Sequence, residues 1–135
     1  MTSYFFTLPV YYEDTDAGGI VYHANYLRFA ERARTQMLKD LGFSNRYFMQ
    51  SDNPVGFAVR DCSLSFKRPA RLEDVLTVET KVTKITGTSM FFSQIIRRGD
   101  EDLVDISMRV VALNKQMRPT RLPDELLDLF RDVKE

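Results

Sequence analysis

The spacing of apolar positions changes along the chain and predicts both helices and strands. Between Asn25 and Leu41, apolar side chains recur every three or four residues and polar side chains fill the other positions. That spacing is typical of a helix with one buried face, here nearly five turns long. Asn25 suits its N-cap, and Gly42 suits the position after its C-terminus. The predicted apolar stripe contains Tyr26, Leu27, Ala30, Ala33, Met37, Leu38 and Leu41.

Most of the remaining chain alternates with the period of two that indicates strands. Pro9 limits the hydrogen bonding of the first strand and therefore favours an edge position. In the second strand, the apolar positions change phase near Arg60 and Asp61, which predicts a bulge there. The predicted strands cover residues 4–12, 55–66, 75–83, 88–97 and 103–113, with turns at Gly87 and at Gly99-Asp100.

The order of these elements predicts the fold class. One strand precedes the long helix and four strands follow it, joined by short turns that favour antiparallel neighbours. A short helix is expected in the polar stretch 44–53, and Pro123 is expected to open another near the C-terminus. The chain has no repeat and no linker composition. We therefore expect one α+β domain over residues 1–135, with an antiparallel sheet wrapped on a central helix.

Composition narrows the classes of function. Nineteen basic and nineteen acidic residues cancel, so net charge gives no reason to expect nucleic-acid binding. No apolar run is long enough to span a bilayer, and no signal peptide is recognisable, which favours a cytoplasmic protein. One cysteine and one histidine make a protein-only zinc site improbable, so no metal is expected. Cys62 falls on the apolar phase of its strand, which predicts a core position.

One segment concentrates candidate chemistry. The glycine positions fit neither a dinucleotide-binding motif nor a P-loop, so no cofactor is expected. Residues Glu13–Tyr26 combine three carboxylates, adjacent glycines, the only histidine and a helix start. A carboxylate beside unpaired helix N–H groups fits hydrolysis of an activated acyl compound. Capping carboxylates followed by an ordinary glycine turn are the competing interpretation.

A basic group forms a second, weaker candidate. Arg60, Lys67, Arg68 and Arg71 carry four positive charges against Asp61 alone. Such a group is either a solvated face or an anion-binding surface, and the sequence leaves both interpretations open.

The sequence also resembles a known family. Tyr12–Tyr26 (YEDTDAGGIVYHANY) is similar to the active-site motif of the 4-hydroxybenzoyl-CoA thioesterase family, and most similar to its YbgC-type, Tol-Pal-associated acyl-CoA thioesterases. The similarity continues through Phe29–Met37 and Lys67–Val75, and again at Met117-Arg118-Pro119. It implies the hotdog fold, hydrolysis of acyl-CoA thioesters, and active sites between the subunits of a dimer or homotetramer.

The resemblance also implies roles for single residues. Asp16 would be the catalytic carboxylate, acting as nucleophile or as general base, and Gly19 would shape the cavity beside it. The backbone N–H of His23 would polarise the thioester carbonyl, and its ring would orient Asp16 or water. Thr77 would be contributed by the neighbouring subunit. The further residues expected at the substrate are Tyr22, Asn25 and Tyr26.

One departure from the family pattern bears on the substrate. Aromatic-CoA members carry a basic triplet where this chain has Thr86-Gly87-Thr88. This argues against 4-hydroxybenzoyl-CoA and favours an aliphatic acyl group carried on CoA or on acyl carrier protein. The alternative function is a non-catalytic module that binds acyl-CoA or acyl carrier protein. The family name further suggests contact with the Tol-Pal machinery, peripheral to the inner membrane.

Overall fold

A computed structural model of the protein describes residues 2–133. Within these residues, five strands and three α-helices follow one another in the order that the sequence predicts. Their bounds are β1 Ser3–Pro9, α1 Asn25–Asp40, α2 Asn45–Met49, β2 Gly56–Phe66, β3 Val75–Ile85, β4 Ser89–Arg98, β5 Glu101–Leu113 and α3 Asp124–Leu129. Single 3₁₀ turns occupy Tyr12–Asp14 and Arg131–Val133. Within residues 2–133, no helix is both long and apolar enough to cross a bilayer.

The strands form one antiparallel sheet in the order β1-β3-β4-β5-β2. Pro9 is the last paired residue of β1, opposite Val75, so the predicted edge position is confirmed. The predicted extension of this strand to residue 12 is wrong, because Tyr12–Asp14 turns away as a 3₁₀ helix. The other edge of the sheet is β2.

The core lies between α1 and the sheet. Ala30 and Met37 of α1 are buried, as the predicted stripe requires, and Phe29 joins them with no exposed surface. The sheet contributes the predicted alternating positions of β3, from Leu76 to Val82. Gly42 follows α1 with a φ of 92°, in the left-handed region where glycine is favoured, so its predicted role is confirmed. The α+β class is therefore confirmed.

Strand β2 departs from the prediction in one respect. The pairing with β5 shifts between Val59 and Asp61, which confirms the predicted bulge. Cys62, however, is exposed, and its predicted core position is wrong. The reason is that β2 is an edge strand, and α1 packs mainly on β1, β3 and β4. Val59 and Phe66 consequently remain about half exposed, at 48% and 53%.

Candidate active site at the start of the long helix

The loop before α1 folds into a compact hairpin that carries Asp16. The Asp16 N–H donates to the Ile20 carbonyl at 2.9 Å, and Thr15 forms an isolated antiparallel β-bridge with Val21. The hairpin is tied to the loop after β2, because the Val21 N–H donates to the Ala70 carbonyl at 2.9 Å. Asp16 is thereby fixed beside the start of α1 while its side chain stays exposed.

The two glycines of this hairpin have different physical roles. Gly19 has a φ of 82°, a conformation that side chains rarely adopt. Gly18 donates its N–H to Asp16 Oδ1 at 2.8 Å, and a Cβ at Gly18 would lie 3.1 Å from that same oxygen. Gly18 therefore permits a close approach to the carboxylate, a role that the sequence prediction gave to neither glycine.

The first aspartate of the Asp14-Thr15-Asp16 motif is structural. Asp14 is only 2% exposed, and its carboxylate accepts hydrogen bonds from the Tyr11 N–H at 2.8 Å and from Asn25 Nδ2 at 2.9 Å. The predicted N-cap role of Asn25 is consequently wrong: Ala24 is the N-cap, without a side-chain hydrogen bond. Asn25 instead uses its amide to fasten the first turn of α1 to Asp14.

The backbone at the start of α1 supplies candidate donors. None of the backbone hydrogen bonds found outside the helices and strands in residues 2–133 uses the N–H of His23 or Ala24. Unused N–H groups at a helix start, together with the helix dipole, form a site for developing negative charge. The exposed His23 ring lies 4.5 Å from the Tyr22 ring and 6.5 Å from the Phe66 ring, measured between centroids. Tyr22 is also exposed.

Tyr26 links α1 to the loop after β2. It is only 3% exposed, and its hydroxyl oxygen accepts the Ala70 N–H at 3.0 Å. Burial raises the pKa of Tyr26; the Ala70 amide opposes this rise, whereas the nearby charges of Asp74 and Asp16 add to it. The hydroxyl therefore stays protonated close to Asp16.

A charged network, which the sequence analysis did not identify, holds that loop in place. Arg98 donates to the Pro69 carbonyl at 3.2 Å and to Asp74 Oδ2 at 2.7 Å, and the same Asp74 oxygen accepts the Arg71 N–H at 2.8 Å. Burial alone would raise the pKa of Asp74, but the hydrogen bonds from Arg98 and Arg71 outweigh burial and lower it. Because Arg71 forms an isolated β-bridge with Ile20, the network supports the hairpin that carries Asp16.

The other candidates lie apart from this group. Thr77 is on the face of β3 opposite its buried residues, in register with Thr7 and Arg97. Its action in a neighbouring subunit's site stays a prediction. In the predicted basic group, Lys67 pairs with Asp105 at 2.9 Å and Arg68 with Glu101 at 3.2 Å, which favours a solvated face over an anion site.

The sequence prediction also did not include an apolar cavity that the fold forms. It has a volume of about 440 Å³ and lies along the second half of α1, against the start of β2. Its lining includes Arg34, Phe57, Val59 and Phe92, but no residue of the Asp16 hairpin. No regular spacing in the sequence connects these positions, because they come together only through the sheet.

A five-stranded antiparallel sheet wrapped on a long helix, with an exposed carboxylate at the helix start, defines a hotdog-fold protein of the thioesterase class. Residues 18–104 match the thioesterase superfamily, and the chain belongs to this family. The predicted family and the hotdog fold are therefore confirmed.

The similarity to individual proteins extends over most of the chain. The acyl-CoA thioester hydrolase YbgC of Escherichia coli is 42% identical over 124 residues, which cover 90% of this chain and 91% of that protein. The acyl-CoA thioesterase YbgC of Haemophilus influenzae is 37% identical over 130 residues, covering 96% and 95%. A crystal structure of a probable thioesterase from Bartonella henselae superimposes with a TM-score of 0.88 at 35% identity, covering 90% of this chain and all of that one (100%).

Proposed function

We propose that the protein is an acyl-CoA thioesterase, which hydrolyses the thioester to a free acid and a thiol, with Asp16 as the catalytic carboxylate. The observation that carries this proposal is the exposed Asp16 carboxylate, held by the Gly18 N–H in the hairpin that leads into α1, where the His23 and Ala24 amides have no backbone acceptor among residues 2–133. Its YbgC relatives, named as acyl-CoA thioester hydrolases, support the same substrate class.

Two routes fit this geometry. In the first, an Asp16 oxygen attacks the carbonyl carbon, the C–S bond breaks, and the thiolate leaves and takes a proton from solvent. Water then hydrolyses the resulting anhydride and restores Asp16. In the second route, Asp16 removes a proton from the water that attacks the carbonyl; the C–S bond then breaks, and the leaving thiolate takes that proton from Asp16. Both routes place negative charge on the carbonyl oxygen, which the His23 N–H at the start of α1 stabilises.

The surrounding residues divide into two groups in this proposal. We propose that Gly19, Tyr22 and His23, which are exposed in the same stretch of chain as Asp16, contact the substrate. The Asn25 and Tyr26 side chains are buried against protein partners, so they position the hairpin and the helix start. We retain Thr77 as a residue supplied by a second subunit.

We further propose that the protein is a homodimer, or a tetramer of two dimers, joined through the free edge of β2. This edge is eleven residues long and carries the half-exposed Val59 and Phe66 together with Cys62. A strand edge of this length, with half-exposed apolar side chains along it, is a template for pairing with another strand. A Cys62→Lys substitution should therefore lower the mass measured by light scattering; a wild-type protein that is monomeric at micromolar concentration would contradict the proposal.

The remaining assignments follow from the same substrate class. The turn Thr86–Thr88 carries no charged side chain, and Thr86 Oγ1 accepts the Thr88 N–H at 3.4 Å and the Ser89 N–H at 3.1 Å, so we propose an aliphatic rather than a hydroxybenzoyl substrate. CoA thioesters are cytoplasmic metabolites, which favours a cytoplasmic enzyme. Acyl carrier protein as an alternative carrier, and a peripheral Tol-Pal association, stay predictions that co-purification would test.

Release of free thiol from a panel of acyl-CoAs tests the central proposal. We expect Asp16→Asn to lower turnover at least about 100-fold, because it removes the only proposed base or nucleophile. Glu13→Gln is the matched control: it neutralises an exposed carboxylate three positions away and should leave the rate unchanged. An Asp16→Asn variant that kept a third of wild-type activity would refute the assignment. Tight acyl-CoA binding without any release would instead indicate a binding module.

A further inference from the structure

The cavity along the second half of α1 is lined by one cation that forms no ion pair within residues 2–133. Its wall is mainly apolar, with Met37, Phe57, Met90 and Phe92 among its residues, and Arg34 of α1 also lines it. In residues 2–133, no carboxylate lies within ion-pair distance of the Arg34 guanidinium. Arg34 is partly buried, and charges removed from water are normally paired, so an anionic ligand in the cavity would balance this charge.

The Arg34 guanidinium is held rigidly at the cavity wall. Its Nη1 donates to Gln94 Oε1 at 3.0 Å, and its Cζ lies 5.8 Å from the centre of the Phe92 ring. Gln94 has no exposed surface and is fixed in turn, because its Nε2 donates to the Ala30 carbonyl at 2.9 Å and to Thr80 Oγ1 at 3.0 Å. A guanidinium has five N–H donors. Gln94 accepts from Nη1 alone, which leaves donors for a ligand.

The electrostatic surroundings agree with an unsatisfied cation. Burial lowers the pKa of Arg34, and the nearby Glu31 opposes this decrease. Glu31 lines the same cavity, but its side chain is exposed and outside ion-pair distance. A ligand with its own carboxylate would reach the guanidinium from the apolar interior of the cavity and form a charge-assisted hydrogen bond there.

In the proposed dimer, this cavity lies next to the active site of the partner subunit. Antiparallel pairing of two β2 edges sets the Phe66 end of one strand against the Gly56 end of the other. Phe66 lies beside His23 and Tyr26, whereas Gly56–Val59 lines the cavity. A thioester at the partner's Asp16 would therefore direct its acyl group toward the Arg34 cavity. Within one chain, Arg34 lies about 13 Å along α1 from Asn25, which is too far for a short acyl group.

We propose that this cavity receives the far end of the acyl group and that Arg34 selects acyl groups ending in a carboxylate. This inference rests on the proposed thioesterase function and names the substrate class of that site. The cavity volume of about 440 Å³ corresponds to roughly fifteen water-sized groups, which is room for a short or medium acyl chain.

Two matched pairs of substrates test the inference. Butyryl-CoA is compared with succinyl-CoA, and hexanoyl-CoA with adipyl-CoA, so that each pair differs only in the terminal carboxylate. We expect the wild-type protein to favour the carboxylated member of at least one pair. Arg34→Met should lower kcat/KM for that substrate by about 10- to 100-fold, the usual effect of losing a hydrogen bond to a charged group. The same substitution should change kcat/KM for the matching plain acyl-CoA by no more than about threefold.

Controls separate selection from structural damage. Arg34→Lys keeps the charge and should recover part of the preference for the carboxylated substrate. Arg32→Met, at an exposed position of the same helix, should leave kcat/KM unchanged for both substrates. Equal losses on both members of a pair in Arg34→Met would overturn the inference, as would a wild-type preference for the plain acyl group. Either result leaves thioesterase activity intact. Failure of the proposed function would instead appear as no thiol release from any acyl-CoA.

Discussion

The two aspartates of the Asp14-Thr15-Asp16 motif should have opposite phenotypes when they are substituted. In Asp14→Ala, the Tyr11 N–H and the Asn25 amide lose the acceptor that each now has within 2.9 Å. A buried donor left without a partner costs about 1–3 kcal/mol. The Asn25 amide is buried and bears the full cost, whereas the Tyr11 N–H belongs to an exposed residue and bears a smaller cost. We therefore expect the free energy of unfolding to decrease by about 2–4 kcal/mol.

Urea and thermal unfolding at equal protomer concentration measure this decrease. A change of 1 kcal/mol corresponds to about 4 °C in Tm for a domain of this size, so Asp14→Ala should melt about 8–16 °C lower. Asp16→Ala is the control: its carboxylate is exposed and, among residues 2–133, accepts only the Gly18 N–H, so we expect a loss below about 1 kcal/mol.

A double-mutant cycle identifies the contact responsible. If Asp14 acts through Asn25, the cycle that combines Asp14→Ala with Asn25→Ala should give a coupling energy of about 1–3 kcal/mol. The reasoning fails if Asp14→Ala and Asp16→Ala destabilise the protein equally, or if the coupling energy is close to zero.

Three further variants test other parts of the site. Gly18→Ala places a methyl group against the Asp16 carboxylate, so kcat should decrease at an almost unchanged Tm; unchanged kcat would show that the carboxylate position is not critical. Tyr26→Phe deprives a buried backbone N–H of its acceptor and should cost about 1–3 kcal/mol in urea unfolding; a change below about 0.5 kcal/mol would contradict this role. Hydrogen bonds hold the pKa of Asp74 below its ordinary value. Its ion pair with Arg98 therefore stabilises the fold above the unfolded-state pKa of about 4, and this contribution is lost as the pH falls through the lower folded-state pKa. The Tm difference between wild type and Asp74→Asn should accordingly be present at pH 7 and shrink below about pH 4; a difference independent of pH would refute the ion pair's contribution.

The sequence determined the helices and strands, and with them the fold class, because each element gives a regular spacing of apolar residues along the chain. The 3.6-residue spacing around Ala30 and Met37 identified α1, and the period-two alternation from Leu76 identified β3. The change of phase near Arg60 located the bulge of β2. Pro9 marked an edge strand, since a residue without an N–H cannot serve a central ladder. The motif around Asp16 was specific enough to indicate the family.

Tertiary structure alone decided which groups meet across the sheet. Asp14 and Asp16 look alike in the sequence, but the return of the chain from Tyr22 into α1 buries one against Asn25 and exposes the other. Cys62 has the phase of a core residue, yet the position of β2 at the sheet edge leaves it exposed. Arg34 and Gln94 are sixty residues apart in the sequence and hydrogen-bonded in the fold. Periodicity records which face of an element is buried, whereas such contacts depend on strand order and on what covers each face.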